Sequence, residues 1–239
     1  MLNLFVTGVE KNAGKTFITA GLAATMQGLG YSTCVYKPVQ TGSIEKNGFA
    51  QSSDLVFVKT IDPYLKTYST YLLKSQAVPI LAAEEEGVVI DKQLIKKEFE
   101  VLQKENDCTI VNSSGEISSP LGTNFLVSDM VKMLDLPLLI VASPGENLIN
   151  NTLLSINNAV EKGIKVRGVI INDYPEYTNN SDLKSAPRLI EEYSDAKILG
   201  VIPHFSDTKL DPSDLITNIL NGIDIESVFD VKIAKLDVE

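Results

Sequence analysis

Short apolar runs alternate along most of the chain with segments in which apolar residues recur at helical spacing. A strand that is apolar at almost every position must be buried on both faces, and a parallel sheet covered by helices provides such burial. We therefore predict an α/β fold with a mostly parallel sheet flanked by helices on both faces. The predicted strands are Leu2–Thr7, Ser32–Lys37, Cys108–Asn112, Leu138–Ser143, Val166–Asn172 and Lys197–Ile202.

The segments between these strands have the periodicity of amphipathic helices. The predicted helices are Thr16–Gly30, Ser53–Ile61, Ile80–Glu86, Asp91–Asn106, Leu126–Asp135, Asn151–Lys162 and Ser181–Ser194. The sequence has no internal repeat and no low-complexity linker, so we expect one domain over residues 1–239. Residues 223–239 mix charged and apolar positions, and a strand, a short helix or a loosely attached tail are all compatible with them.

The charge of the chain limits the ligands that it can bind. Its 31 acidic and 21 basic residues give a net charge of −10, which argues against nucleic acid as a partner because duplex binding depends on neutralised phosphates. The sequence has no stretch long enough for a membrane span and no signal sequence, so we expect a cytoplasmic protein without a membrane partner. Cys34 and Cys108 lie in β-branched runs and are expected to be buried thiols rather than a disulfide.

The strongest local signal is the glycine-rich stretch from Gly8 to Thr16, which follows a predicted strand and precedes a predicted helix. Its pattern is that of a phosphate-binding loop with one additional residue, G-x5-G-K-T. In such a loop the backbone N–H groups and the helix N-terminus bind phosphate oxygens, Lys15 reaches the outer phosphates, and the Thr16 hydroxyl can bind magnesium. A glycine turn without function is the alternative, but the strand-loop-helix context favours nucleotide binding.

A second signal lies at the end of the next predicted strand, in the segment Lys37–Gly42. Ligands of open α/β sheets bind beyond the carboxyl ends of the strands, so Lys37 is expected beside the phosphate loop. A lysine there can stabilise a transferred phosphoryl group or an anionic substrate. A solvated lysine before a proline turn is the alternative, and the proximity of the two signals favours the functional interpretation.

With these two motifs the sequence resembles dethiobiotin synthetase, an ATP-dependent enzyme of biotin biosynthesis in the P-loop NTPase superfamily. The resemblance covers roughly residues 1–205. Further similar segments are Ser53-Asp54, Ala77–Ala83, Asp107–Val111, Leu148–Leu154, Asn172-Asp173 and Ile202-Pro203.

The resemblance implies a fold of the P-loop NTPase type and a ligase that uses ATP and Mg²⁺. This ligase would convert 7,8-diaminononanoate and CO₂ into dethiobiotin, ADP and phosphate. In the family, a carbamate forms on one substrate amine, a carbamate oxygen attacks the γ-phosphate, and the second amine closes the ureido ring. The resemblance also implies a homodimer in which the substrate site is shared across the interface.

Site residues follow from the resemblance position by position. Lys15 and Lys37 are the implied catalytic residues, with Lys37 stabilising the charge of the carbamate and of the transferred phosphoryl group. Magnesium would be bound by Thr16 and Asp54, and Asn172 would contact the adenine edge. The implied nucleotide-binding residues are Gly8, Lys11, Asn12, Ala13, Gly14, Lys15, Thr16, Phe17, Asn172, Pro203 and His204. The implied substrate-binding residues are Lys37, Thr41, Leu148, Ile149 and Asn150.

The sequence departs from the family at the strand that reaches the metal. The family pattern Glu-Gly-Ala-Gly-Gly is replaced by the segment Asn112–Glu116, so that Asn112 stands at the position of the metal-ligating glutamate. An amide keeps a carbonyl oxygen but loses the negative charge, and we expect weaker rather than absent magnesium binding. Glu116 could supply the missing carboxylate if its loop folds back, or it could be a solvated glutamate.

Two more residues have alternative interpretations. Lys11 stands where the family has a threonine, and it either adds positive charge at the phosphates or carbamate or is an exposed loop lysine. His204 either stacks on the nucleotide base or is a surface histidine. The altered metal strand also leaves open a second function, a divergent paralogue that acts as a nucleotide-binding regulatory ATPase of the partitioning type without diamine turnover. Those ATPases place a signature lysine five residues before the loop lysine, where this chain has Glu10.

Overall fold

The computed structural model describes residues 2–205 and 211–233. The strands of its main sheet are β1 Leu4–Gly8, β2 Thr33–Gln40, β5 Lys66–Leu72, β6 Cys108–Glu116, β9 Leu138–Ala142, β10 Val166–Tyr174 and β11 Ile198–Pro203. These strands are ordered β11-β10-β9-β1-β6-β2-β5, and every neighbouring pair is parallel. Two small antiparallel pairs accompany the sheet, namely β3 Ile44–Lys46 with β4 Phe49–Gln51 and β7 Pro120–Gly122 with β8 Phe125–Leu126.

The helices cover both faces of this sheet. They are α1 Lys15–Gly28, α2 Ser53–Ile61, α3 Pro79–Glu85, α4 Lys92–Glu105, α5 Val127–Leu134, α6 Leu148–Glu161, α7 Ser181–Glu192, α8 Pro212–Gly222 and α9 Ile225–Phe229. In the described part of the chain, none of them combines the length and hydropathy needed to traverse a lipid bilayer.

The buried side chains form two apolar clusters, one on each face of the sheet. Along β1, Phe5 belongs to one cluster while Leu4 and Val6 belong to the other, as expected for a strand buried on both faces. Cys34 and Cys108 are free and buried, and burial raises the pKa of each thiol to about 12. The α/β architecture and the six predicted strands are therefore confirmed.

The elements that were not predicted depend on contacts distant in sequence or on partial exposure. The edge strand β5 has the sequence KTYSTYL and is only partly buried, so it lacks the continuous apolar run used to identify strands. The β3–β4 hairpin turns at Asn47-Gly48, both with positive φ (54° and 79°), which is a turn signal that the sequence does contain. Helix α8 packs against α1, and a Cβ at Gly21 would lie 2.5 Å from Ile219 Cγ1.

Several predicted boundaries need correction. Strand β2 continues through Pro38 to Gln40, and the pairing of Lys37 with Ser69 and of Val39 with Tyr71 passes over the proline, which has no N–H to donate. Helix α6 begins at Leu148 rather than Asn151, because the Asn151 N–H already donates to the Asn147 carbonyl (2.8 Å).

For residues 223–239 the sequence was compatible with a strand, a short helix or a loosely attached tail, and the structure shows a short helix in part of this segment. Residues 225–229 form α9, whereas residues 234–239 lie outside the described residues.

Candidate active site

A cleft of about 750 Å³ opens at the carboxyl ends of β1, β2 and β6. This is the edge of a parallel sheet where ligands are expected to bind. The structure brings most of the predicted nucleotide, metal and catalytic residues to this one cleft. The predicted residues that line it are Lys11, Asn12, Gly14, Lys15, Thr16, Phe17, Lys37, Thr41, Asp54 and Glu116.

The phosphate loop connects β1 directly to α1, and its conformation depends on glycine at two positions. Gly14 precedes α1 with φ 93°, a conformation that is strained for other residues, and a Cβ there would lie 2.1 Å from Asn172 Nδ2. A Cβ at Gly8 would lie 3.0 Å from Lys15 Nζ, so the lysine side chain passes close over the first glycine. The first turn of α1 contains no acidic residue, which leaves its N–H groups and partial positive charge available to an anion.

Lys15 points into the cleft from the first residue of α1, and its Nζ donates to the Glu10 carbonyl oxygen (3.1 Å). Burial lowers the pKa of Lys15 below its ordinary value; the Glu116 carboxylate opposes this shift and the Lys37 ammonium adds to it. Two ammonium groups near each other in a partly desolvated cleft are stabilised when an anion binds between them. The arrangement is therefore suited to a polyanion.

Lys37 is buried, with 4% of its surface exposed, and it has two partners. Its Nζ lies 2.6 Å from Asp54 Oδ2 and donates to the Ser113 carbonyl oxygen (2.7 Å). Burial alone would raise the pKa of Asp54, but the Lys37 ammonium and the hydrogen bonds from Lys37 and Thr16 bring it below its ordinary value. Asp54 is therefore a carboxylate at neutral pH, and it neutralises Lys37.

A hydrogen bond between Gln40 and Ser52 positions this ion pair. Gln40 and Ser52 are 5% and 4% exposed, and the Ser52 hydroxyl donates to Gln40 Oε1 (2.5 Å). The same Ser52 oxygen accepts from the Leu55 N–H (3.2 Å) and caps α2. The contact joins the end of β2, which carries Lys37, to the start of α2, which carries Asp54. The sequence indicated only a serine before a helix; the glutamine partner was not predicted.

Asn112, Thr16 and Asp54 lie together, as the resemblance implies for a metal site. Asn112 is fully buried, and its Nδ2 lies 3.3 Å from Thr16 Oγ1 and 3.5 Å from Asp54 Oδ2. Its Oδ1 has no hydrogen-bond partner among the described residues. Rotating the amide by half a turn would direct this oxygen toward Thr16 and Asp54. The resulting donors are one carboxylate, one hydroxyl and one amide oxygen, a set of hard oxygens that fits Mg²⁺.

The end of β6 leaves the regular sheet and lines the cleft. Val6 pairs with Asn112 and Gly8 pairs with Glu116, so Thr7 alone faces Ser113, Ser114 and Gly115. Such a bulge redirects side chains at a strand end. It brings the Ser113 carbonyl oxygen to Lys37 and places Glu116 beside the phosphate loop.

The residues predicted for the nucleotide base lie on the other side of the phosphate loop. Asn172 is 8% exposed, and its Nδ2 donates to the Ala13 carbonyl oxygen (3.4 Å). His204 is exposed and its Nδ1 lies 2.6 Å from Asp173 Oδ1, so the structure pairs it with a surface carboxylate. Pro203 ends β11 and is exposed.

An aromatic pair that was not predicted lies near these residues. Phe17, which lines the cleft, contacts Phe205 with ring centroids 5.2 Å apart. The signal available in the sequence was an aromatic residue two positions after the last strand of the sheet.

The three residues predicted to bind the substrate carboxylate are separate from the cleft. Leu148, Ile149 and Asn150 form the first turn of α6 and do not line the cleft of their own chain. Leu148 is buried, whereas the Asn150 side chain is exposed. These residues therefore lie apart from the two lysines of the cleft.

Some known proteins resemble this chain in sequence and others only in fold. A family model described as an AAA domain matches residues 2–210. The ATP-dependent dethiobiotin synthetase BioD of Anoxybacillus flavithermus is 33% identical over 87% of this chain and 94% of that protein. The protein of the same name from Methanococcus vannielii is 30% identical over 87% of this chain and 96% of its own length.

The fold likeness reaches more distant proteins. A chain of the solved MinC:MinD cell division protein complex from Aquifex aeolicus aligns with a TM-score of 0.58 and 17% identity, covering 99% of this chain and 98% of that chain. At this identity the likeness concerns the fold alone.

Proposed function

Because the chain belongs to the dethiobiotin synthetase family, we propose that it is an ATP-dependent ligase that converts 7,8-diaminononanoate and CO₂ into dethiobiotin, ADP and phosphate. The observation that carries this proposal is the presence of two lysines in one cleft: Lys15 at the start of α1 and Lys37 within β2. A transferring phosphoryl group needs positive charge on both sides of the atoms that exchange it. Two lysines on adjacent elements provide that charge.

The phosphate loop binds the triphosphate. Its N–H groups and the N-terminus of α1 donate to the phosphate oxygens. Lys15, whose Nζ donates to the Glu10 carbonyl oxygen without a ligand, donates to the β- and γ-phosphates instead when ATP binds. Thr16, Asp54 and Asn112 would hold Mg²⁺, which would supply positive charge to the phosphates when it is bound.

Lys37 acts on the substrate side. After one substrate amine has added to CO₂, losing a proton, the carbamate is an anion that can pair with the Lys37 ammonium. Its oxygen attacks the γ-phosphorus while ADP leaves, and Lys37 stabilises the charge on the transferred group. The second amine then attacks the carbamoyl carbon, phosphate leaves, and the amine proton is released. Thr41, which lines the cleft beside Lys37, would contact the carbamate.

We further propose that the enzyme is a cytoplasmic homodimer. The first turn of α6, from Leu148 to Asn150, would bind the substrate carboxylate of the partner's cleft through its free N–H groups. Two observations support an interface here: this turn lies outside the cleft of its own chain, and α6 exposes Leu154 and Val160 (59% and 57%). Sedimentation of the purified protein tests this proposal, and a monomer with full activity would contradict it.

A regulatory ATPase of the partitioning type receives less support. The position of its signature lysine is occupied by Glu10, and Glu10 Oε1 accepts a hydrogen bond from Ser143 Oγ in the same chain (2.6 Å). A carboxylate there cannot supply the positive charge that a signature lysine provides. The likeness to MinD extends to the fold alone.

The decisive experiment combines the purified protein with diaminononanoate, bicarbonate, Mg²⁺ and ATP and measures dethiobiotin and phosphate. We expect both products in equal amounts, and we expect Lys37→Ala to lower kcat by about 10²–10³-fold because it removes a group that stabilises charge in the transition state. Lys59→Ala, an exposed lysine on α2, is the matched control and should retain activity. Phosphate release that does not depend on the diamine would reject the proposal.

A further inference from the structure

Glu116 is a carboxylate of the cleft whose charge acts on Lys15 without an ion pair between the two groups. Lys37 and Asp54 neutralise each other at 2.6 Å, and no ion pair formed within 4.0 Å by the described residues includes Glu116. Glu116 is partly buried and lines the same cleft as both lysines. A partly desolvated carboxylate beside a site for phosphates is costly unless a cation meets it.

The position of this carboxylate is fixed by its own loop. Ser119 Oγ donates to Glu116 Oε2 (2.8 Å) and accepts from the Glu116 N–H (2.9 Å), while the Ser119 N–H donates to the Glu116 carbonyl oxygen (3.0 Å). Gly115 permits this approach, because a Cβ on it would lie 2.5 Å from Ser119 Oγ. One carboxylate oxygen is thus held by the loop, and the other is left to accept a hydrogen bond from a ligand.

The surroundings of Glu116 suit a ligand that is both cationic and aliphatic. Helix α3 packs against β7, which follows Ser119 directly, and Ala77, Val78 and Pro79 form an apolar part of the cleft wall. A primary ammonium on a carbon chain has both properties, since it offers hydrogen-bond donors with positive charge and an alkyl surface.

We propose that Glu116 binds a protonated amine of the substrate and orients it in the cleft. This inference rests on the proposed function and adds a specificity-determining residue to it. The diamine carries two amino groups, and only one of them is consumed when the carbamate forms. Glu116 holds the other as an ammonium until ring closure. The carboxylate can then accept one proton, which frees the lone pair of this amine to attack the carbamoyl carbon, and the second amine proton passes to solvent as the N–C bond forms and phosphate leaves.

The geometry favours an amine over a metal as the partner of Glu116. The atoms that converge around Asn112 come from Thr16 and Asp54, and the hydrogen bonds of Glu116 are formed with Ser119 instead. Glu116 pairs in the sheet with Gly8, at the start of the phosphate loop, and its charge acts on Lys15. It therefore lies on the Lys15 side of the cleft.

Steady-state kinetics of Glu116→Gln tests the inference. Glutamine keeps the size and hydrogen-bonding oxygen but removes the charge, so we expect the KM for diaminononanoate to rise by about tenfold to a hundredfold. The half-saturating concentrations of ATP and Mg²⁺ should stay within about twofold of the wild-type values. Glu84→Gln, an exposed glutamate on α3 outside the cleft, is the matched control and should leave all three unchanged.

A second probe tests charge recognition without catalysis. 1,2-Diaminopropane, which has the two amines but no carboxylate, should inhibit the wild-type enzyme competitively against the diamine and should inhibit Glu116→Gln at least tenfold less. Ser119→Ala, which frees the carboxylate without removing it, should give an intermediate effect.

The outcomes separate the inference from the proposed function. A wild-type protein without diamine-dependent phosphate release overturns both. An active wild type whose Glu116→Gln variant keeps its diamine KM overturns the inference alone, and a variant that instead raises only the Mg²⁺ requirement assigns Glu116 to the metal.

Discussion

Replacing Asn112 by glutamate tests whether this position faces the metal. Asn112 is fully buried and its Nδ2 lies 3.5 Å from Asp54 Oδ2, so Asn112→Glu would bring a second negative charge close to Asp54. Two like charges about 4 Å apart repel by roughly 4 kcal/mol at an effective dielectric constant of about 20. Lys37, already 2.6 Å from Asp54, offsets part of this repulsion. Without a divalent cation we therefore expect the free energy of unfolding to fall by about 1–3 kcal/mol.

Magnesium should reverse the sign of this effect. A second carboxylate raises the affinity of the site for a hard cation, and a ligand present at about 100 times its Kd stabilises the folded state by about 2.7 kcal/mol. For a chain of this size, about 2 kcal/mol corresponds to roughly 4–8 °C in Tm. The Tm of Asn112→Glu should thus start below that of the wild type and rise more steeply as Mg²⁺ is added.

Thermal unfolding in the presence of ADP, with Mg²⁺ titrated from zero, measures both parts of this prediction. Asn112→Leu is the matched control because it removes the amide oxygen without adding charge, and its Tm should respond to Mg²⁺ less than that of the wild type. If Asn112→Glu responds to Mg²⁺ in the same way as the wild type, Asn112 does not contact the metal and the assignment is refuted.

Two further predictions concern the groups around Lys37. Ser52→Ala removes the cap of α2 and the hydrogen bond to Gln40. We expect the free energy of unfolding, measured by chemical denaturation, to fall by about 1 kcal/mol and the Mg²⁺ requirement in the activity assay to rise several-fold. If Ser52 had only a structural role, the stability alone would change. The depressed pKa of Asp54 means that its ion pair stabilises the fold above about pH 4 and that this stabilisation is lost as the pH falls through the lower folded-state pKa. The difference in unfolding free energy between wild type and Asp54→Asn should therefore be largest at neutral pH and vanish in acid; an equal difference at both pH values would contradict the ion-pair assignment.

The parts of the fold that the sequence predicted are those with local signals. Strand β1 is buried on both faces, and α1 follows the glycine-rich loop directly, so hydrophobic pattern and loop chemistry agree. Strand β5 could not be found in this way, because an edge strand that is half exposed needs few apolar residues and is defined by its pairing with β2. Helix α8 depends likewise on its contact with Gly21, which is distant in sequence.

In the candidate site, too, the residues with local sequence signals were predicted and those that depend on distant contacts were not. Lys15, Thr16 and Lys37 lie in contiguous motifs whose chemistry is local, and the structure brings them to one cleft. The bond from Ser52 to Gln40 links two elements and has no local signature. The different environments of Asn112 and Glu116 follow from the bulge in β6, which a linear pattern of residues does not specify.

In the proposed reaction a carbamate oxygen, rather than water, attacks the γ-phosphate between Lys15 and Lys37. The most direct test supplies ¹⁸O-labelled CO₂ with ATP, Mg²⁺ and diaminononanoate in unlabelled water. The reaction is stopped before hydration of the CO₂ exchanges its label with solvent, and the phosphate is analysed by mass spectrometry. Phosphate that carries one ¹⁸O atom for each dethiobiotin formed is the predicted result. Phosphate without ¹⁸O would show that water supplies the fourth oxygen, as in simple ATP hydrolysis, and would contradict this mechanism.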